Sequence, residues 1–293
     1  MIIVKISGGL GNQMFQYAIG RYLSLKHNTD LKFDDVFFEY KNDSISTKRK
    51  VELEVFNVVI SKATEEDLSP YIHKSRIRKR IESLFPYLER NHQVIEKEHI
   101  YDNTIIDSKN NSYLNGYWQS EKYFSSIREV LLKDFTPKNP INQLNASYYL
   151  KCFQKNTVSI HIRRGDYVNI ESNLTYHGVC SLDYYYEAIS YLQNLINGEL
   201  KLIVFTDDLN WVNDNFKPTC TFESITGNNN ENSFYDMYLM SKCHHNIVAN
   251  SSFSWWGAWL NTNPDKKVIA PKIWFATNEI NSNQVVPESW IRL

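Results

Sequence analysis

The chain has 293 residues, of which 42% are hydrophobic and 14% aromatic, enough for one large domain or two of ordinary size. Lysine and arginine number 32 and aspartate and glutamate 33, and the formal charge of −1 argues against a broad electrostatic grip on nucleic acid. Four widely spaced cysteines form no Cys-x-x-Cys pair, so a zinc or redox site is not expected. No apolar run reaches the length of a signal peptide or membrane span, and we expect a cytoplasmic protein.

The N-terminal part begins with a predicted buried strand over residues 2–6 and a glycine-rich loop over 7–11. A helix is predicted over 12–26, because apolar side chains recur there at helical spacing. Residues 28–110 show little clear periodicity. A strand over 112–117 and a helix over 119–133 follow.

Residues 74–85 form a basic segment whose apolar side chains also have helical spacing. The favoured interpretation is a solvated helix face. The alternative is weak peripheral contact with an anionic inner-membrane surface, to which each nearby cation contributes about 1 kcal/mol.

A stretch rich in proline and asparagine over 137–145 predicts a domain boundary, giving domains 1–145 and 146–293. Beyond it, strands are predicted over 157–162, 201–206, 245–249 and 267–270, and helices over 182–197, 209–215, 231–241 and 252–262. Asparagine-rich residues 227–232 predict a mobile loop. This alternation indicates an α/β fold with parallel sheets, in which ligands bind beyond the carboxyl ends of the strands.

The most informative segment is 161–167, which reads His-Ile-Arg-Arg-Gly-Asp-Tyr and follows a predicted strand. Guanidinium groups bind phosphate oxygens through paired, charge-assisted hydrogen bonds, so Arg163 and Arg164 are candidate diphosphate ligands. The alternative is a surface turn of ion pairs, which contributes little to stability.

A second segment, Gly-Gly-Leu-Gly-Asn-Gln at 8–13, lies between the first strand and the first helix. Its glycines permit close approach of a ligand, and a helix N-terminus favours an anion. The dinucleotide fingerprint is incomplete, because the third glycine is missing. A tight turn with Asn12 as the helix N-cap is the simpler interpretation.

Two further polar segments also follow predicted strands. In Thr206-Asp207-Asp208, an acid could bind a base or ribose, or could simply cap the next helix. In Asn250-Ser251-Ser252, hydroxyl groups and a helix N-terminus suit phosphate. The tryptophans that follow are interpreted mainly as core residues.

A metal-dependent diphosphate site would be indicated by an Asp-x-Asp pair, and the sequence contains none. Asp207 and Asp208 are adjacent, so on a strand their side chains would point to opposite faces. Arginine is therefore the expected substitute for a divalent cation, and no metal or other cofactor is predicted.

At these segments the chain resembles the bacterial α-1,2-fucosyltransferases of glycosyltransferase family 11. The resemblance rests on the motifs at 8–18, 161–167 and 250–257, which occur in the expected order. It implies a GT-B architecture, in which two Rossmann-like domains face a cleft. It also implies inverting, metal-independent transfer of L-fucose from GDP-fucose to the 2-hydroxyl of a β-galactoside.

The resemblance also implies roles for individual residues. The catalytic set would be Arg163, Asp166, His161 and Asn12. Arg163 would hold the β-phosphate and Arg164 would assist, while the remaining donor-binding set would be Gly9, Gly11, Thr206, Asp207, Asp208, Asn250, Ser251 and Ser252. Residues 1–145 would form the acceptor side and residues 146–293 the GDP-fucose side.

Asp166 could act as the general base or could orient an arginine, and orientation is favoured. The expected acceptor is a galactose-terminated glycan or lipid-linked oligosaccharide in O-antigen or capsule synthesis. Two alternatives stay open: a GDP-fucose transferase of another linkage or acceptor, and a non-catalytic nucleotide- or glycan-binding protein.

Overall fold

The computed structural model describes residues 1–40, 50–59, 61–72, 92–97, 100–165, 168, 174–175, 178–276 and 284–293. The chain divides into two compact units, Met1–Lys138 and Asn139–Leu293. The sequence-based boundary at 145 lies inside a helix, Gln143–Cys152, because the Asn142 side chain caps that helix by accepting from the backbone N–H of Asn145 at 2.9 Å. The basic segment 74–85 lies outside the described residues.

The N-terminal unit contains a parallel sheet with the strand order β2-β1-β4-β3. The strands are β1 (Ile2–Lys5), β2 (Leu31–Asp34), β3 (His92–Ile95) and β4 (Ser112–Asn115). Central β1 pairs with β2 on one side and with β4 on the other. The chain therefore adds β2 on one side of β1, and then returns to add β3 and β4 on the other side. The carboxyl ends of β1 and β4 therefore meet at the switch point of this sheet, where ligands of α/β proteins bind.

The helices of this unit are α1 (Leu10–His27), α2 (Phe37–Tyr40), α3 (Glu65–Ile72) and α4 (Arg128–Asp134). Helix α1 lies close against the sheet at Gly20, where an added Cβ would come within 2.5 Å of Val4 Cγ2. It begins two residues earlier than predicted, with Gly9 at the N-cap. The interpretation of Asn12 as N-cap is therefore wrong, since Asn12 lies in the first turn.

The predicted helix over 119–133 is also wrong, apart from its last turns in α4. Short 3-10 turns at Glu121–Tyr123 and Ser125–Ile127 replace its first half. Phe124 leaves the helical region at φ −145° and packs against the ring of Phe15, while Tyr123 packs edge-on against Trp118. Aromatic packing thus determines the backbone here against its local helical tendency.

The C-terminal unit contains a second parallel sheet, with the order β10-β9-β8-β5-β6-β7. Its strands are β5 (Thr157–Ile162), β6 (Lys201–Thr206), β7 (Phe222–Ser224), β8 (His245–Ile247), β9 (Val268–Ala270) and β10 (Ile291–Arg292). Numbered within the unit, this is the 3-2-1-4-5-6 order of a doubly wound nucleotide-binding sheet. Its switch point lies between β5 and β8. The predicted α/β class with parallel sheets is confirmed.

The helices of this unit are α5 (Gln143–Cys152), α6 (Leu182–Leu195), α7 (Leu209–Asn215), α8 (Phe234–Met240) and α9 (Ser252–Trp259). Strands β5 and β6 and helix α7 have their predicted bounds. Helices α6, α8 and α9 and strands β8 and β9 are shorter than predicted, and α5, β7 and β10 were missed. The tryptophans of α9 are core residues, as predicted, because Trp255, Trp256 and Trp259 are all buried.

Residues 227–232 were predicted as a mobile loop, and Asn228 within it makes hydrogen bonds to the rest of the unit. The side-chain amides of Asn228 and Asn145 exchange two hydrogen bonds, of 2.8 and 2.9 Å. Asn228 also donates to Asp236 Oδ1 at 2.8 Å. Burial raises the pKa of Asp236 to about 7, and the hydrogen bond from Asn228 partly offsets this effect.

Within the described part of the chain, none of the helices combines the length and the apolar character needed to cross a membrane. All four cysteines are free thiols.

Candidate anion-binding site

The pairing of two adjacent strands brings the arginines and aspartates together. Strands β5 and β6 pair in parallel with Ile162 opposite Thr206. The residues that follow each strand therefore leave the sheet side by side. Arg163 Nη1 lies 2.6 Å from Asp207 Oδ2, and both side chains are about one-quarter exposed.

Asp207 also fixes the backbone of the arginine segment. Its second oxygen, Oδ1, accepts from the backbone N–H of Arg164 at 2.8 Å. The next residue has to be glycine for this contact, because a Cβ at Gly165 would lie 2.6 Å from Asp207 Oδ2. Both oxygens of Asp207 thus hold the arginines, which is the orienting role that the sequence had favoured for Asp166. Asp166 itself lies outside the described residues.

Asp208 has the other role expected for this acidic pair, because it caps helix α7. Its Oδ1 accepts from the backbone N–H of Trp211 at 3.2 Å, and its own backbone N–H donates to Thr206 Oγ1 at 3.0 Å. Its Oδ2 lies 3.5 Å from Arg164 Nε, longer than a well-formed hydrogen bond. A contact of Asp207 or Asp208 with guanosine remains a prediction.

The Arg164 side chain stacks on an aromatic ring that sequence reasoning missed. Its guanidinium carbon lies 3.7 Å from the centroid of the Trp211 ring, well within the range of a cation–π interaction. The spacing of Trp211 within α7 gave no signal in the sequence, because the contact depends on how β5 and α7 are placed.

His161 is the last but one residue of β5 and lies beneath the arginines. It is buried, and its ring packs against Phe253 at 5.8 Å. Burial lowers the pKa of His161 to about 3, with a further contribution from the nearby Arg163 that Asp207 opposes. His161 is therefore neutral at physiological pH. Its Nδ1 has no hydrogen-bond partner among the described residues.

The segment after β8 lies on the other side of the switch point and follows the carboxyl end of a strand, as predicted. Ser251 caps helix α9 by accepting from the backbone N–H of Phe253 at 3.3 Å, and the half-buried Ser252 begins that helix. The Asn250 amide donates to the carbonyl oxygens of Gly178 and Trp274 at 3.3 Å each. Asn250 therefore anchors the polypeptide around this helix end, and its predicted donor contact is not tested by the geometry.

In the N-terminal unit, the glycine loop follows β1 and leads into α1. Gly8 has φ +74°, a conformation that favours glycine, and Gly9 caps the helix without a side chain. Gly11 and Asn12 follow in the first turn. Asn12 Oδ1 accepts from Gln119 Nε2 at 2.9 Å, so the first turn of α1 is tied to the segment after β4.

That segment after β4 carries features that the sequence did not reveal. The carboxylate of Glu96 accepts from the backbone N–H groups of Tyr117 and Trp118, at 2.6 and 2.9 Å. Trp118 has a left-handed backbone, φ +57°, which is unfavourable for a bulky residue. Three consecutive residues have a buried polar atom with no described partner: Trp118 Nε1, Gln119 Oε1 and Ser120 Oγ. Strain and unpaired polar atoms at a switch point are typical of a functional segment.

Among the described residues, no three His, Cys, Asp or Glu side chains come together as metal ligands. Arg163 and Arg164 are cations that the C-terminal sheet presents at its switch point, beside Asp207 and Asp208. The strand order is that of a doubly wound α/β protein.

Comparison with known proteins identifies the family. The sequence model of glycosyl transferase family 11 matches residues 1–293, so the chain belongs to this family and is a glycosyltransferase. It is 37% identical to the O-antigen biosynthesis glycosyltransferase WbnK of Escherichia coli, over 98% of this chain and 99% of that protein. It is 36% identical to an alpha-1,2-colitosyltransferase of Escherichia coli, over 100% and 99% of the two chains.

A more distant relative is galactoside alpha-(1,2)-fucosyltransferase 2 of Bos taurus, 26% identical over 50% of this chain and 44% of that protein. Among solved structures, a variant of Arabidopsis thaliana FUT1 in complex with GDP matches with a TM-score of 0.51. It is 11% identical, over 99% of this chain and 75% of that one. The fucosyltransferase NodZ from Bradyrhizobium matches with a TM-score of 0.50 at 13% identity, over 87% and 91% of the chains. These likenesses support the fold.

Proposed function

We propose that this glycosyltransferase moves L-fucose from GDP-fucose to the 2-hydroxyl of a β-galactoside, with inversion and without a metal or cofactor. The observation that carries this proposal is the pair of arginines held by Asp207 at the switch point of the C-terminal sheet. The names of the relatives support it, since one is a galactoside alpha-(1,2)-fucosyltransferase and another acts in O-antigen biosynthesis. O-antigen, capsule or a related glycan is the proposed product.

The arginines provide the main catalytic effect in this mechanism. As the sugar–phosphate bond breaks, negative charge grows on the β-phosphate oxygen of GDP. Arg163 and Arg164 stabilise this charge as it develops, which lowers the barrier. Loss of one such donor raises the barrier by about 3 kcal/mol. His161 remains neutral at physiological pH, so the positive charge near the phosphate comes from the arginines.

The acceptor hydroxyl loses its proton late in an oxocarbenium-like reaction. Orientation of an arginine remains the favoured role of Asp166 in this proposal, and acceptance of this proton is its alternative role. We further propose a GT-B arrangement, in which the C-terminal unit binds GDP-fucose. The N-terminal unit would contribute Gly9, Gly11 and Asn12 to the donor sugar and would bind the acceptor.

A second candidate donor carries colitose, because a relative with 36% identity over the whole chain is an alpha-1,2-colitosyltransferase. Colitose is fucose without the 3-hydroxyl group. A site that hydrogen-bonds this hydroxyl strongly rejects the deoxy sugar, whereas an apolar site accepts both. Parallel assays with the two GDP-sugars would distinguish these donors.

The decisive experiment uses the purified protein with GDP-fucose and a panel of galactosides, with the linkage determined by NMR. We expect an α-1,2 product and GDP release. Arg163→Ala should abolish transfer while the fold is retained. Lys201→Ala is the matched control, because Lys201 is an exposed cation at the opposite end of β6. GDP binding without transfer to any galactoside would favour a non-catalytic protein, and another linkage would change the proposed specificity.

We also propose that the basic segment 74–85 binds the anionic inner-membrane surface, where the protein would encounter a lipid-linked acceptor. Charge reversal of Arg76, Arg78, Lys79 and Arg80 should then abolish binding to vesicles that contain anionic lipid. Vesicle binding that survives this change would contradict the proposal.

A further inference from the structure

The two arginines are held in different ways. Arg163 has a 2.6 Å ion pair with the carboxylate of Asp207. Arg164 Nε lies 3.5 Å from Asp208 Oδ2, longer than a well-formed hydrogen bond, and this buried nitrogen has no hydrogen-bond partner among the described residues. The Arg164 guanidinium carbon lies 3.7 Å from the centroid of the Trp211 ring, which it covers.

From this difference we infer that Trp211 is a positioning residue, which holds the Arg164 guanidinium against its ring so that the N–H groups stay available to the diphosphate of the nucleotide. This inference rests on the proposed function. A ring accepts the face of a guanidinium and leaves the N–H groups at its edge unoccupied. A carboxylate in the same place would occupy these donors.

The Trp211 ring is itself well anchored. Its backbone N–H donates to Asp208 Oδ1 at the start of α7, and its side chain packs against the core cluster that contains Val212 and Phe216. The backbone N–H of Arg164 is bound by Asp207 at 2.8 Å. Both ends of the Arg164 side chain are therefore fixed before the nucleotide binds, which reduces the conformational entropy lost on binding.

The cation–π contact with Trp211 also accounts for the long distance of 3.5 Å between Arg164 Nε and Asp208 Oδ2. Asp208 Oδ1 is engaged in capping α7, which fixes the carboxylate at the helix start. Arg164 Nε stays 3.5 Å from Asp208 Oδ2 while the guanidinium carbon lies over the Trp211 ring. Without the ring, Arg164 would be free to rotate and form a closer ion pair with Asp208, and fewer N–H groups would face the phosphates.

The test is GDP binding measured by calorimetry for the wild type, Trp211→Leu, Trp211→Phe, Arg164→Ala and the double variant Arg164→Ala/Trp211→Leu. Trp211→Leu keeps an apolar side chain against the core but removes the ring, and should weaken GDP binding about 5- to 30-fold. Trp211→Phe keeps a ring and should lie between the wild type and Trp211→Leu. In the Arg164→Ala background, Trp211→Leu should have no further effect.

Thermal unfolding of each variant provides the control for folding. An equal loss of GDP affinity from Trp211→Leu with and without Arg164 would show a general structural role and overturn the inference. Unchanged affinity in Trp211→Leu would also overturn it. If the wild type does not bind GDP, the proposed function fails. If the wild type binds GDP but the Trp211 variants behave otherwise than expected, only the inference fails, so the two failures are distinguishable.

Discussion

Replacement of Asp207 by asparagine tests whether the arginines depend on an acid from the neighbouring strand. The change keeps the shape of the side chain but removes its charge, and it places an amide NH2 against either Arg163 Nη1 or the backbone N–H of Arg164, both of which are donors. A hydrogen bond to a charged group contributes about 1.5–3 kcal/mol. The two side chains are 24% and 25% exposed, so the lower half of this range applies after solvent screening.

Because about 1.4 kcal/mol corresponds to a tenfold change in rate, kcat/KM for GDP-fucose should fall about 10- to 30-fold in Asp207→Asn. The loss should appear mainly in kcat. The KM should change less, because loss of the negative charge of Asp207 favours binding of the anionic GDP group and partly offsets the loss of affinity caused by the disordered arginines.

The matched control is Asp208→Asn. Asparagine caps a helix as well as aspartate does, and the Arg164–Asp208 pair is long and partly exposed, so activity should stay within about threefold of the wild type. Steady-state kinetics of both variants, with thermal unfolding to verify the fold, are sufficient. Wild-type kcat/KM in Asp207→Asn, or equal losses in the two variants, would refute the orienting role of Asp207.

Three further changes test other parts of the structure. Gly165→Ala should lower the rate of fucose transfer at least tenfold without unfolding the protein. The added Cβ would lie only 2.6 Å from Asp207 Oδ2 and would push the carboxylate away from the arginines, so unaltered kinetics would contradict this contact. Asp236→Asn should stabilise the protein by roughly 1–3 kcal/mol at pH 8.5 but hardly at pH 4, in urea titrations at both values. The raised pKa of Asp236 means that its stability contribution is present below the unfolded pKa and is lost as pH rises through about 7, so equal effects at both pH values would be inconsistent. Gly20→Ala should destabilise the protein by about 1–3 kcal/mol, because the added Cβ would overlap Val4, and an unchanged unfolding midpoint would argue against this packing.

Much of the secondary structure of the C-terminal unit follows from the sequence alone. Strands β5 and β6 are short apolar runs with polar residues after them, and central parallel strands are buried on both faces, which makes their bounds easy to recognise. The N-terminal unit is harder, because its strands are only four residues long and the short turns after β4 depend on aromatic contacts. Trp118, Tyr123 and Phe124 pack into the core and interrupt the helix that local propensity favours.

The candidate site divides in the same way. Arg163, Arg164, Asp207 and Asp208 are recognisable because each pair follows a predicted strand. Which acid pairs with which arginine cannot be recognised from the sequence. Arg164 and Asp207 are 43 positions apart, and their contact depends on the register of β5 with β6.

By itself, the sequence determined the alternation of strands and helices, the strand-end motifs and the resemblance to family 11, because these depend on residue type and local spacing. Only the tertiary structure decided that Asp207 holds the arginines and that Trp211 lies against Arg164. The physical reason is that each of these contacts joins elements that are distant in the chain, and strand register and core packing bring them together.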